Sequence, residues 1–231
     1  MVRFKHAFLT AAGLIALGGP LAPAFASTIN VDNVQLPYSE TLNLNGFIDG
    51  SSYSENGGLA GQIVLTVNNI GNTNEFTLPV FCVDIFHDIV LGSSGDKYSE
   101  GALGTDNSNH PSPLSSLQIN DILALATYGN ALMRSDPTNQ TSAEIQAAIW
   151  TVEYNNSNGN SLAVTGGTFT STDITNLIAT ASAAGGSGGE LIALSGSQAE
   201  VFDPIPEPAS LSLFGAGLFG IGFARRRMSR R

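Results

Sequence analysis

The chain has 231 residues and a formal net charge of −10, from 9 Lys and Arg against 19 Asp and Glu. Most basic residues lie near the two ends, so residues 27–205 keep Lys97 and Arg134 against 18 acidic residues, a formal charge of −16. Nucleic acid and anionic lipid surfaces are therefore poor partners for a segment this acidic. Its length of about 180 residues is enough for one domain with a sizeable core.

The first 26 residues have the three regions of a secretory signal peptide. Arg3 and Lys5 precede the apolar run 7–17, and Ala24-Phe25-Ala26 has the small-x-small pattern of a cleavage site. The sequence has no twin arginine there, which favours the general secretory route. We therefore expect residues 1–26 to be removed on export.

The first half of the exported part is predicted to be β-rich. Apolar and polar residues alternate over 41–44 and 62–67, which predicts two strands separated by the turn-rich segment 49–58. Residues 76–86 place apolar side chains on both faces, as in a central strand. Residues 92–113 are rich in Gly, Ser, Asp and Asn and predict a polar loop.

The second half is predicted to contain helices. Apolar residues at helical spacing indicate a helix over 117–133. A capping box of Thr141 and Glu144 predicts that the next helix opens there and runs to Glu153 or Tyr154. A third helix and two closing strands are expected at 173–184, 190–194 and 199–202. Residues 27–203 are thus predicted to form a mainly β (α+β) domain, an antiparallel sandwich or barrel-like fold with a helical segment.

Residues 204–231 form a separate C-terminal segment with three parts. The tripeptide Pro206-Glu207-Pro208 is followed by the uncharged run 209–224 and then by Arg225, Arg226 and Arg227. As a helix rising 1.5 Å per residue, that run spans about 24 Å, a little short of a hydrocarbon core. Arginines stay on the cytoplasmic side, so the segment predicts a short C-terminal transmembrane helix with an extended, accessible tripeptide outside.

This ordered pattern closely resembles the PEP-CTERM sorting signal of Gram-negative bacteria that produce exopolysaccharide. The resemblance implies that an exosortase-type processing protease recognises Pro206, Glu207 and Pro208. It also implies that the protein is anchored in the inner membrane during processing and then reaches the cell surface or the extracellular matrix.

Cys82 is the single cysteine and cannot form an internal disulfide. The sequence Ala143-Glu144-Ile145-Gln146-Ala147-Ala148-Ile149-Trp150 resembles the Thr-Gln-x-Ala-Ile-Trp motif of bacterial surface thioester domains, with Ile145 where the family has Thr. Phe81-Cys82 matches the aromatic-Cys motif of that family. The resemblance implies an internal thioester between Cys82 and Gln146, with Phe81, Ala148, Ile149 and Trp150 packed around it.

Such a bond would let an amine or hydroxyl of a surface or matrix partner attack the Gln146 acyl carbon. It acts once per molecule, so the chain is expected to be a covalent cross-linker and not an enzyme. The alternative is a non-catalytic structural or carbohydrate-associated matrix protein whose buried cysteine is inert. A secreted hydrolase is least supported, because no catalytic residue set is visible.

Neither a cofactor nor a metal site is expected. Asp84, His87 and Asp88 are close in sequence, but on a continuous strand His87 would point away from the two aspartates. Their spacing matches no established set of metal ligands.

Overall fold

The computed structural model describes residues 28–69, 75–104, 113–155, 159–194 and 198–203. The strands are β1 Thr28–Gln35, β2 Glu40–Ile48, β3 Ser51–Ala60, β4 Ile63–Asn69, β5 Phe76–Cys82, β6 Lys97–Gly101, β7 Ser161–Thr165, β8 Gly189–Ala193 and β9 Glu200–Phe202. The helices are α1 Ser116–Ser135, α2 Asn139–Tyr154 and α3 Ser171–Ala184. The expected signal peptide and C-terminal transmembrane helix lie outside these ranges. Within them, no helix has both the length and the apolar character required to span a bilayer.

Six antiparallel strands close into a barrel in the order β1-β4-β5-β9-β8-β6. Directly paired residues point to the same face of a sheet, so the pairs Val31 with Val67 and Leu65 with Leu78 line one common interior. These side chains are buried. The barrel interior is therefore one part of the hydrophobic core, and β5 lies between two neighbours as its apolar faces predicted.

A second sheet has the order β3-β2-β7. β2 and β3 form a tight hairpin in which Ile48 pairs with Ser51. Asp49 and Gly50 make the two-residue turn, with φ of 52° and 76°. Positive φ at both positions matches the twist of a two-residue hairpin and suits an Asp-Gly sequence. The turn-rich segment predicted over 49–58 is therefore wrong beyond its first two residues.

The helices begin at side-chain caps. Ser115 with Gln118 caps α1 and Thr170 with Asp173 caps α3, each as a capping box. α2 begins at Asn139, earlier than predicted, because the Thr138 side chain accepts the backbone N–H of Thr141. α2 contacts β2, β3 and β7 of the three-stranded sheet and also β5 of the barrel. It therefore lies where the two sheets meet.

The mainly β class and the barrel-like architecture are confirmed, and so are the three helices and the two closing strands. Two further expectations are wrong. The segment 92–113 contains β6, and the strand predicted over 76–86 ends at Cys82. Beyond that point Asp84 accepts the backbone N–H of Phe86 at 2.8 Å. A short aspartate side chain that bonds the backbone two residues on favours a turn, which ends the strand.

Candidate functional site

The side chain of Gln146 takes the place of a strand partner for Cys82. β4 pairs with β5 only as far as Ile63 opposite Val80. Beyond that pair, the N–H of Cys82 donates to Gln146 Oε1 at 2.9 Å and Gln146 Nε2 donates to the carbonyl oxygen of Cys82 at 2.8 Å. The carboxamide thus continues the hydrogen-bonding pattern of the sheet and lies directly beside the residue that carries the thiol.

The start of α2 is fixed against the chain that leads into β4. Ser142 Oγ accepts the backbone N–H of Gln62 at 2.6 Å and donates to the carbonyl oxygen of Tyr38 at 2.8 Å. Gly61 lies beside these hydrogen bonds. A Cβ at position 61 would stand 2.2 Å from the carbonyl oxygen of Tyr38. This close approach requires glycine. Gln146 follows Ser142 by four residues and therefore lies on the same face of the helix.

The Cys82 thiol is buried in a turn of its own. It donates to the carbonyl oxygen of Asp84 at 3.0 Å and lies 3.2 Å from the Asp84 backbone N–H. Burial raises the pKa of the thiol well above its ordinary value, and the nearby carboxyls of Glu200 and Glu153 add to the rise. The hydrogen bonds with Asp84 and the nearby indole of Trp150 act in the opposite direction. The neutral thiol is therefore the resting form.

A cavity of about 280 Å³ reaches this pair of residues. Cys82, Gln146 and Trp150 line its buried part, and the exposed side chains of Leu59 and Leu91 lie along its outer part. The Gln146 side chain therefore forms part of the cavity wall. Its walls also include polar groups, those of Glu55, His87, Asp88 and Gln198.

His87 and Asp84 are in contact, contrary to the expectation that they point apart. His87 Nδ1 lies 2.6 Å from Asp84 Oδ2, with the aspartate buried and the imidazole partly exposed at the cavity wall. The expectation assumed a continuous strand, and the turn after Cys82 removes it. Across the ranges that the structure describes, no group of three or more His, Cys, Asp or Glu side chains is arranged to hold a metal.

The other residues that the resemblance to thioester domains singled out are also buried. Phe81, Ala148 and Ile149 are fully buried, and Trp150 is almost so. Sequence reasoning missed Glu200, which lies opposite Cys82 on β9 and is also fully buried. The signal that points to it is an ionisable residue inside the short apolar strand predicted over 199–202.

Residues 204–227 match the family model of the PEP-CTERM protein-sorting motif. The match includes the tripeptide Pro206-Glu207-Pro208 and the three arginines from Arg225 to Arg227. The chain is therefore an exported protein that an exosortase processes at the membrane on its way to the cell surface. No curated protein and no solved structure matches the chain significantly. These comparisons do not show the resemblance to thioester domains, which rests on the motif residues around Cys82 and Gln146 alone.

Proposed function

We propose that this exported protein attaches covalently to a surface or matrix partner through an internal thioester between Cys82 and Gln146. One observation carries the proposal. Both polar atoms of the Gln146 carboxamide are bonded to the backbone of Cys82, at 2.9 and 2.8 Å, inside a buried site. These two bonds to the Cys82 backbone support a close approach between the thiol and the carbonyl carbon that it would attack.

The first step forms the thioester. The Cys82 sulfur attacks the carboxamide carbon of Gln146, the new S–C bond forms, and the C–N bond breaks. The thiol proton leaves with the nitrogen, so the products are the thioester and one ammonia. An amide is a poor acceptor for a thiol in free solution, and the reaction needs fixed proximity of the two groups. The hydrogen bonds between Gln146 and the Cys82 backbone support that proximity.

The second step transfers the acyl group. An amine or hydroxyl of the partner enters the cavity and attacks the Gln146 acyl carbon. The C–S bond breaks, the nucleophile loses its proton, and Cys82 is released as a thiol. Burial of Cys82 and Gln146 limits attack by water until then. The apolar packing of Phe81, Ile149 and Trp150 supports this protection.

The alternative function is a structural or carbohydrate-associated matrix protein with an inert cysteine. The same hydrogen bonds support this alternative, because a carboxamide that replaces a missing strand partner stabilises β5 without reacting. The buried thiol, whose pKa is raised, is also typical of an unreactive core cysteine. The two functions differ in whether the native protein has lost ammonia.

Intact mass of freshly prepared native protein tests the proposal. We expect a mass lower by one ammonia than the processed sequence requires, and the full sequence mass in Cys82→Ala and in Gln146→Ala. Methylamine should then add to the wild type, with release of one free thiol. Peptide mapping should place the adduct on Gln146 and not on Gln62, a second buried glutamine whose carboxamide bonds Asn130.

A native wild type with the full sequence mass and a free Cys82 would exclude the thioester and leave the structural function. Each variant is compared with the wild type by circular dichroism, so that unfolding is not mistaken for lost chemistry. An adduct on any residue other than Gln146 would also contradict the proposed bond.

A further inference from the structure

A fully buried carboxyl group faces the thiol from the neighbouring strand. Glu200 pairs directly with Cys82 in the β5–β9 register. Gln146 occupies both backbone hydrogen-bonding groups of Cys82, and the next ladder bond runs from Val83 N–H to the Ala199 oxygen at 3.0 Å. Cys82 and Glu200 therefore form a non-hydrogen-bonded pair, the type in which facing side chains lie closest.

The carboxyl of Glu200 has no hydrogen-bond partner in the part of the chain that the structure describes, and its side chain is 0 % exposed. Leaving a buried polar group unsatisfied is costly, so a fold that keeps one there requires an explanation. Burial raises the pKa of Glu200 well above its ordinary value, and the charge of Asp84 adds to the rise. Both effects favour the neutral carboxylic acid over the carboxylate.

Within the part of the chain that the structure describes, the charge that acts on Glu200 is the negative charge of Asp84. Cys82 and Asp84 lie near Glu200 on the β5 side, and Tyr98 of β6 is buried as well. Burial raises the pKa of the Tyr98 phenol, and the nearby Glu200 and Cys82 raise it further. Glu153 of α2 acts on the same thiol. His87 Nδ1 lies 2.6 Å from the Asp84 carboxylate. A neutral acid beside a neutral thiol is thus the state that this environment favours.

We propose that Glu200 carries the proton from the Cys82 thiol to the departing nitrogen of Gln146 when the thioester forms. This inference rests on the proposed function and names a further residue for its first step. One carboxyl oxygen accepts the thiol proton as the S–C bond forms. The other oxygen gives its proton to the nitrogen as the C–N bond breaks, and ammonia leaves. Glu200 ends as the neutral acid with which it began.

A neutral carboxylic acid is suited to this step because it both donates and accepts a proton. The exchange creates no net charge on Glu200, whereas a separate base and acid would leave two ions in a buried, poorly solvated interior. The thiol needs such help, since its raised pKa disfavours spontaneous loss of the proton. Positioned proton transfer accelerates reactions by about 10²–10⁴-fold.

The test compares Glu200→Gln with Glu190→Gln in the full chain. Glu190 of β8 is also fully buried, but it pairs with Val201 of β9, whose side chain lies on the opposite face of β9 from Glu200, and one of its oxygens accepts the Gly104 N–H. Each chain is made in a cell-free system with detergent, and intact mass is followed over time. We expect ammonia loss at least about a hundredfold slower in Glu200→Gln than in the wild type, and an unchanged rate in Glu190→Gln.

Two further variants separate chemistry from folding. Glu200→Asp keeps a carboxyl group, so we expect it to lose ammonia faster than Glu200→Gln does. If Glu200 acted only by filling space, the shorter aspartate would not restore the rate. Glu200→Leu fills the same interior position without a polar group and is expected to be as slow as Glu200→Gln. It replaces that variant if glutamine does not fold, because apolar replacement of a buried ionisable group is often tolerated.

The outcomes distinguish the two proposals. A wild type that never loses ammonia overturns the proposed function and this inference together. A wild type that loses ammonia while a folded Glu200→Gln or Glu200→Leu does so at the same rate overturns the role of Glu200 alone. Loss of ammonia at wild-type rate in Glu190→Gln, with slow loss in both Glu200 variants, supports it.

Discussion

Two acidic residues, Glu200 and Asp173, have opposite environments and should give opposite pH dependence of stability. Burial, followed by the charge of Asp84, raises the pKa of Glu200. Hydrogen bonds from the backbone N–H and then the hydroxyl of Thr170 lower the pKa of Asp173. The sign of the effect on unfolding follows from which state of the protein binds the proton more tightly.

For Glu200 the folded state holds the proton more tightly. Its contribution is fully present below the unfolded pKa of about 4.3 and is lost as pH rises toward the folded pKa, by up to about 1.4 kcal/mol per pH unit. We expect the stability of a Cys82→Ala protein, relative to Cys82→Ala with Glu200→Gln, to fall as pH rises above the unfolded pKa. Urea unfolding at several pH values measures this difference, and the Cys82→Ala background keeps covalent chemistry out of the equilibrium.

Asp173→Asn in the same background is the control of opposite sign. The stability that Asp173 adds is present above its unfolded pKa and is lost as pH falls through the lower folded pKa. A Glu200 difference that stays constant, or that grows as pH rises, would show that the carboxyl is ionised in the folded protein. The neutral acid required for proton transfer would then be absent.

At the residue scale, the sequence predicted Cys82 and Gln146 as a pair only through motif resemblance. Their separation of 64 residues contains no information about distance. Two contacts could not be predicted from the sequence, that of Asp84 with His87 and that of Glu200 with Cys82. The first depends on where β5 stops, and the second depends on the register of a three-residue strand.

At the scale of elements, Gly46 allows β2 and β7 to approach closely. A Cβ at this position would stand 2.1 Å from the backbone oxygen of Ser161, which cannot rotate away. Gly46→Ala should therefore displace β7, the strand against which α2 packs. We expect a loss of about 1–3 kcal/mol of stability, the usual cost of overpacking, measured by thermal or urea unfolding.

Gly58→Ala, in β3 of the same sheet, is the matched control. The added Cβ would meet only the flexible end of the Glu55 side chain, at 2.7 Å from Oε1. We expect a change within about 0.5 kcal/mol. Equal losses in the two variants would mean that the cost arises from alanine in a strand and not from contact with Ser161.

Elements with strong periodicity were predicted and polar elements were missed. α1, α3 and the closing strands have apolar side chains at regular spacing. β3 contains Ser, Glu, Asn and Gly and has mostly exposed or half-buried side chains, so its sequence looks like a loop. It is a strand because β2 supplies its hydrogen bonds along its whole length. Such pairing comes from a partner elsewhere in the chain, which no local pattern contains.

At the scale of the whole molecule, the barrel is closed by the last described strand. β9 lies between β5 and β8 and ends at Phe202, directly before the sorting motif that begins at residue 204. It supplies Glu200, and its Val201 and Phe202 are buried. Processing within the motif therefore leaves the barrel whole, whereas a cut a few residues earlier would remove a strand that holds Cys82 in place.

Two truncated chains test this dependence. A chain that ends at Asp203 keeps β9 and should unfold like the full chain and lose ammonia as the full chain does. A chain that ends at Gln198 lacks β9, so we expect a loss of at least about 3 kcal/mol, comparable to removing one large buried side chain, and no loss of ammonia. Urea unfolding and intact mass measure the two effects. If the chain that ends at Gln198 formed the thioester normally, neither barrel closure nor Glu200 would be needed for the reaction. If the chain that ends at Asp203 failed to fold or to lose ammonia, residues of the sorting segment would be shown to support the fold.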